Sequence, residues 1–333
     1  MKKTLVALSV LAAATSAQAI EIYNQDGVTV GLHGDIEVVY MNDFQESSMK
    51  QEIQDADFGF DVRYAINDEF TFGAYWEFDG SKHTNAEETK NGDTYVAVYS
   101  KTYGSIKFGR LCTAVDDLGI GSDYQYGIKT YLDNVTNECA DEGVRYDYDN
   151  GTFYTTLGFV QDKLSTELDA NGNKQDGTET DYMDARVGYR VADFDLSAFY
   201  SNTDVDADYQ ASQPADKRQK DHSGYGAEVR FAGIENVNLA IAYYASKSDF
   251  DQDDNNVVAF AADYFMDKWT FSAGYSIGDH DDNVKDQDNW FLNAGYGVAP
   301  NTTVYAEIGG EDKDNEPNYD SDVALAIGVK AEF

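Results

Sequence analysis

The chain has 333 residues, with 61 acidic side chains against 24 basic ones and a formal charge of −37. Phosphate binding needs a basic footprint, so this balance argues against nucleic acid as a partner. Aromatic residues at 14% and apolar positions that recur with a fixed period exclude a disordered chain.

The first nineteen residues read as a secretion signal. Lys2 and Lys3 make a basic start, Thr4 to Ala14 is a mostly apolar run, and Ala17-Gln18-Ala19 is a small-x-small cleavage site. The run is too short to serve as a membrane anchor. Cleavage after Ala19 would leave residues 20–333, with 22 basic residues against 61 acidic ones and a net charge of −39. No later segment approaches a continuous apolar run of membrane-spanning length, so no transmembrane helix is expected.

From there the chain alternates. One apolar face runs through Leu32, Ile36, Val38 and Tyr40, then Phe58, Phe60, Val62, Tyr64 and Ile66, then Phe70, Phe72, Ala74, Trp76 and Phe78. It resumes at Val187, Tyr189 and Val191, then at Leu196, Ala198 and Tyr200. Near the end come Trp269 to Ile277, Trp290 to Val298, and finally Val323, Leu325, Ile327, Val329, Ala331 and Phe333. A period of two is a strand with one apolar and one polar face. Segments of about ten residues suit a tilted strand crossing lipid.

Seven short turns (Asn67-Asp68, Tyr103-Gly104, Asn150-Gly151, Ala192-Asp193, Gly233 to Asn236, Asp267-Lys268 and Pro300-Asn301) alternate with eight long polar loops. The loops are 41–56, 80–93, 111–142, 163–181, 202–222, 248–256, 279–288 and 310–321. Fifteen connections join sixteen strands. An even count, with short turns on one side and long loops on the other, is the layout of an outer-membrane barrel, and closure removes the edges that lipid could not satisfy. A soluble β-sandwich would alternate too, but would need neither a secretion signal nor a terminal phenylalanine. The expected fold class is therefore all-β: a sixteen-stranded antiparallel transmembrane barrel over residues 20–333. Such a lumen is too wide for side chains to fill. The polar face agrees, carrying Asp61, Arg63, Glu77, Arg145, Asp147, Arg186, Arg190, Glu228, Arg230, Asp263 and Glu307.

The loop at 111–142 is much the longest, and a loop of that length is usually functional. It follows Tyr103-Gly104-Ser105-Ile106-Lys107-Phe108-Gly109-Arg110 and contains Asp116-Asp117-Leu118-Gly119. With the stretch Glu21-Ile22-Tyr23-Asn24-Gln25-Asp26-Gly27 and the final Phe333, the chain resembles the general trimeric porins of Gram-negative outer membranes, of OmpC/OmpF type with OmpU/OmpT-type relatives. The resemblance implies a homotrimer in which the third loop folds into each lumen and sets acidic residues against a basic wall. Asp116, Asp117 and Asp123 are then the loop acids, and Arg110 and Arg145 the wall bases. Lys107 and Arg63 face the lumen by alternation. The family's arginines of the second and fourth strands align with Asp57 and Thr94, so the basic side looks thinned.

Cys112 and Cys139, the only two cysteines, lie in the long loop. The oxidising compartment allows a disulfide between them, with two free thiols as the alternative. No histidine is near enough in sequence to suggest a metal site. Asp204-x-Asp206-x-Asp208 and Asp249-x-Asp251-x-Asp253 lack the glycine and glutamate of a calcium loop and read as solvated charge. No nucleophile, zinc or phosphate-loop motif occurs, so neither an enzyme nor a cofactor is expected.

The expected function is passive diffusion of small hydrophilic solutes and ions, with cations preferred because of the net charge. Partners would be outer-membrane lipid and lipopolysaccharide. One alternative is a substrate-specific channel using the inward-facing Tyr75, Phe199, Tyr244 and Phe291. The other is an adhesin or receptor role for the external loops.

Overall fold

The computed structural model describes residues 19–44, 48–80, 90–128, 139–168, 174–205, 221–248, 254–281, 286–313 and 322–333. The expected signal at 1–19 lies outside them except for Ala19. The strands are β1 (Ile20–Gln25), β2 (Val28–Met41), β3 (Lys50–Ala65), β4 (Phe70–Asp79), β5 (Lys90–Ser100), β6 (Gly104–Cys112), β7 (Cys139–Asp149), β8 (Phe153–Leu168) and β9 (Lys174–Val191). They continue as β10 (Phe194–Val205), β11 (His222–Ile234), β12 (Val237–Ser248), β13 (Asn255–Met266), β14 (Trp269–His280), β15 (Gln287–Ala299), β16 (Thr302–Lys313) and β17 (Asp322–Glu332). Each of β2 to β17 pairs antiparallel with its neighbour in sequence, and β17 pairs back onto β2 from Ala326↔Met41 to Glu332↔Asp35. The result is a closed sixteen-stranded barrel.

β1 is an addition that alternation alone did not show. It is six residues long, too short to count as a span, and turns back onto β2 through Asp26 and Gly27 at φ 54° and 77°. Phe333 exchanges two backbone hydrogen bonds of 2.8 Å with Gly34. Ile20 pairs with Leu32 immediately beyond. The last and first strands therefore lie end to end along one edge of β2 and complete its ladder, leaving no open edge for lipid.

The seven short turns fall where the sequence places them, and several need left-handed backbone: Ala192, Asn236, Asp267 and Asn301 have φ between 51° and 62°. Gly104 has no substitute, because a Cβ there would come within 2.0 Å of the Asp147 carbonyl oxygen. The long connections are shorter than expected. β3 begins at Lys50, and the β8–β9 ladder runs on to Leu168↔Lys174, so 41–56 and 163–181 are partly strand. Polar alternating residues cannot be told from loop by composition, yet they keep making ladder bonds beyond the lipid.

Outside, the apolar stripe is exposed: Ile36, Trp76, Val187, Ile277 and Leu325 all stand clear of the protein. Inside, the core is unusual. Instead of two sheets packing on each other, the wall packs on the chain segment that follows β6.

Candidate functional site

Residues 113–128 leave the end of β6 and cross the lumen. The departure point is fastened three ways. Cys112 and Cys139 sit opposite each other at the end of the β6–β7 ladder and form a disulfide, Cα to Cα 3.9 Å. Arg145 on β7 donates to the carbonyls of Cys112 (3.1 Å) and Thr113 (3.0 Å). The same guanidinium pairs with Asp117 (2.6 Å) and Asp147 (2.9 Å). A short 3₁₀ turn, Ala114–Asp117, follows, and the Val115 amide donates to Asp184 of β9 at 2.8 Å.

Further along, the wall grips the loop backbone with buried carboxylates. Glu228 of β11 accepts the Gly119 amide at 2.8 Å, and Arg230 donates to the Gly119 carbonyl. Glu228 also takes bonds from Tyr244 (2.8 Å), Ser197 (3.1 Å), Arg186 (3.3 Å) and Arg230 (3.0 Å). Glu307 of β16 accepts three successive amides, from Tyr124 (2.6 Å), Gln125 (2.8 Å) and Tyr126 (2.7 Å). Asn293 bridges the Ser122 carbonyl (2.8 Å) to Glu307 (3.0 Å). Gln125 then reaches Glu37 on β2 (2.7 Å) and the Tyr305 hydroxyl (2.9 Å). Buried carboxylates are tolerable because every bond they accept is charge-assisted.

Apolar contacts seal the loop against this wall. Ala114, Val115 and Ile120 pack on Val160, Tyr182, Phe199, Ala242, Tyr244 and Val257. Tyr126 packs with Val39, Met41, Tyr305 and Ala324, while Tyr124 stacks on Tyr305 at 3.8 Å. Three of the four inward aromatics anticipated as a solute track, Phe199, Tyr244 and Phe291, are therefore buried beneath the loop, whereas Tyr75 stacks on Tyr95 at 5.4 Å.

The space left open lies on the other side, between the loop and β3 to β7. It is a cavity of about 510 Å³ lined by Asp57, Glu77, Asp79, Asp93, Asp116 and Asp141 and by Lys107, Arg110 and Arg145, with Tyr95, Cys112 and Cys139 also on its surface. The bases are engaged. Lys107 bonds to Asp147 at 3.1 Å, and Arg110 pairs with Asp141 and donates to the Asn91 carbonyl at 2.6 Å. Arg63, nearer the short-turn end, is held by Asp61 at 2.5 Å and lies 3.5 Å over the Tyr99 ring.

Asp116 faces the cavity, whereas Asp117 turns to Arg145 and Asp123 sits near Gly121 and Gly127 at the loop's far end. Arg145 and Asp117 thus contact each other rather than facing across a gap. Loss of surrounding water raises the Asp116 carboxyl, and Asp117 raises it further. The same desolvation pushes Asp123 up to about 6, with Glu307 acting in the same direction. Desolvation and then the Glu307 and Glu37 charges push the Tyr124 phenol up to about 12.

One position needs correcting. Thr94 points outward, opposite the exposed Trp76, and the residues β5 turns into the lumen are Asp93, Tyr95, Ala97 and Tyr99. Asp184 and Glu37 were missed as loop anchors, though alternation from Ile36 and Val187 would have marked both as inward.

A profile of the Gram-negative porin family matches residues 4–316. The chain belongs to that family. Porin-like protein H of Photobacterium profundum is 33% identical, the alignment covering all of both chains. Outer membrane porin PhoE of Escherichia coli is 26% identical, again over all of both. Among solved structures, a loop-deletion form of OmpT from Vibrio cholerae superposes with a TM-score of 0.72 at 19% identity, covering 92% of this chain and 100% of that one. This porin is accordingly a channel of the outer membrane and not an enzyme.

Proposed function

We propose that the channel passes small hydrophilic solutes and ions by passive diffusion and prefers cations. The observation that carries this is the cavity beside the loop: its bases are paired, and its lining holds a surplus of carboxylates. Fold alone does not set the sign, since a porin of Comamonas acidovorans described as anion-selective superposes with a TM-score of 0.70. The fixed charge along the path must set it. Asp116, Asp117 and Asp123 supply the loop's share of this charge, while Arg63, Lys107, Arg110 and Arg145 are the basic side. The test is the reversal potential of the purified protein in a planar bilayer under a potassium chloride gradient. A cation-selective sign supports the reading, and an anion-selective sign overturns it.

The working unit is a homotrimer embedded in outer-membrane lipid and lipopolysaccharide. A trimer form of OmpT from Vibrio cholerae supports the trimer at the level of fold, with a TM-score of 0.68. Residues 20–333 form the mature barrel, with residues 1–19 removed on export and 111–142 narrowing the pore.

A second reading, a channel selective for one solute class, is favoured by the Tyr75–Tyr95 stack and by a relative named as a monosaccharide porin from Halomonas, 26% identical over 84% of this chain and 78% of that one. Saturable block of conductance by one sugar would favour it. The adhesin alternative falls mostly on external loops outside the described residues.

A further inference from the structure

Building on the cation-preferring reading, we propose that Asp93 sets the charge selectivity of the constriction, acting from the barrel wall and not from the inserted loop. Alternation in β5 puts it there, since Asp93 shares the inward face of Tyr95 and Ala97 while Val96 and Val98 face out, and an irregularity in the β4–β5 ladder begins beside it. Trp76 pairs with Thr94 and Phe78 with Asn91, so two residues of β5, Gly92 and Asp93, oppose the single Glu77. An extra residue of this kind bends the strand and re-aims a side chain. Gly92 accommodates the bend, since a Cβ there would meet the Glu77 carboxyl carbon at 2.9 Å. Asp93 faces the cavity, within electrostatic reach of Glu77 on the wall and Asp116 on the loop.

The bases within reach of Asp93 are Lys107 and Arg145, and each is bonded elsewhere. Lys107 bonds to Asp147, and Arg145 to Asp117 and Asp147. Asp57 lies to the side of this group, against the Gly80 amide at 3.3 Å. Asp93 is thus the wall charge that links the two sides of the gap, and among the described residues no ion pair competes with a passing cation for it.

The experiment compares wild-type protein with Asp93→Asn, Asp93→Glu, Asp116→Asn and, as a charge-matched control on a short turn, Glu235→Gln. The readout is the potassium-to-chloride permeability ratio in planar bilayers. One charge about 6 Å from the path, screened by ordinary salt, changes local ion occupancy by about two-fold, raising one sign and lowering the other. Asp93→Asn is therefore expected to lower the ratio by about two- to four-fold, and by more than Asp116→Asn. Asp93→Glu keeps the wild-type ratio, and Glu235→Gln leaves it unchanged. The proposal is overturned if Asp93→Asn keeps the wild-type ratio while Asp116→Asn lowers it. It is also overturned if Asp93→Glu loses selectivity as fully as Asp93→Asn, which would show that shape and not charge is responsible. Wild-type protein without cation preference would instead sink the underlying reading, and that outcome is visible before any variant is made.

Discussion

Glu307 offers the sharpest test of how the loop is held. Its carboxylate is 1% exposed and accepts four hydrogen bonds, three of them from the consecutive amides of Tyr124, Gln125 and Tyr126. Glu307→Gln is nearly isosteric but removes the charge and turns one acceptor into a donor facing N–H groups. Hydrogen bonds to a charged group contribute about 1.5–3 kcal/mol each, and the remaining amide oxygen can keep part of that, so the loop tip should lose about 2–4 kcal/mol of local stability. Hydrogen–deuterium exchange reads this directly. Protection at the amides of residues 124–126 should fall by about 30- to 1,000-fold, because about 1.4 kcal/mol corresponds to a factor of ten. Amides in the β11–β12 ladder should keep theirs. Protection at 124–126 equal to wild type in Glu307→Gln would refute the claim that this carboxylate is the clasp.

Two other outcomes are expected. Loss of surrounding water pushes Asp123 up to about 6 and raises Asp116 in the same direction, so acidifying from pH 7 to pH 5 adds a proton to Asp123 and removes negative charge from the lumen. Cation preference should therefore weaken as pH falls through that window, and a reversal potential that stays constant from pH 7 to pH 5 would contradict it. Cutting the Cys112–Cys139 bond by the paired change to serine releases a crosslink spanning 27 residues, worth about 3–4 kcal/mol in the chain-entropy picture. The root of the loop should then exchange faster at residues 112–115 and single-channel current should become noisier, while the loop tip stays bound to Glu307. Exchange at 112–115 that does not change on removing the bond would show that Arg145 alone suffices there.

Much of the architecture was legible one residue at a time. Alternation from Phe58 to Ile66 and from Val323 to Phe333 assigned each side chain to lipid or lumen, because a strand's two faces are set by parity alone. The turn at Asn150-Gly151 and those at Asp267 and Asn301 were legible for a similar local reason, since few residues accept left-handed backbone. In β5 parity broke only at the start of the strand, where Asn91 and Thr94, three positions apart, both pair with residues on one face of β4, Phe78 and Trp76. Gly92 is the one local hint of the bulge, since a glycine inside a strand often marks one.

The chain by itself therefore determined a closed tube, greasy outside and charged within, a long third loop, and two cysteines able to tie its root. Only the tertiary structure decided which charges are available to a passing ion. Arg145 and Asp117 were legible as opposite charges, but their 2.6 Å contact, the engagement of Lys107 by Asp147, and the grip of Glu228 and Glu307 on the loop depend on distance. An electrostatic interaction depends on separation and exposure, and residues 28 or 183 positions apart acquire a separation only when the barrel closes.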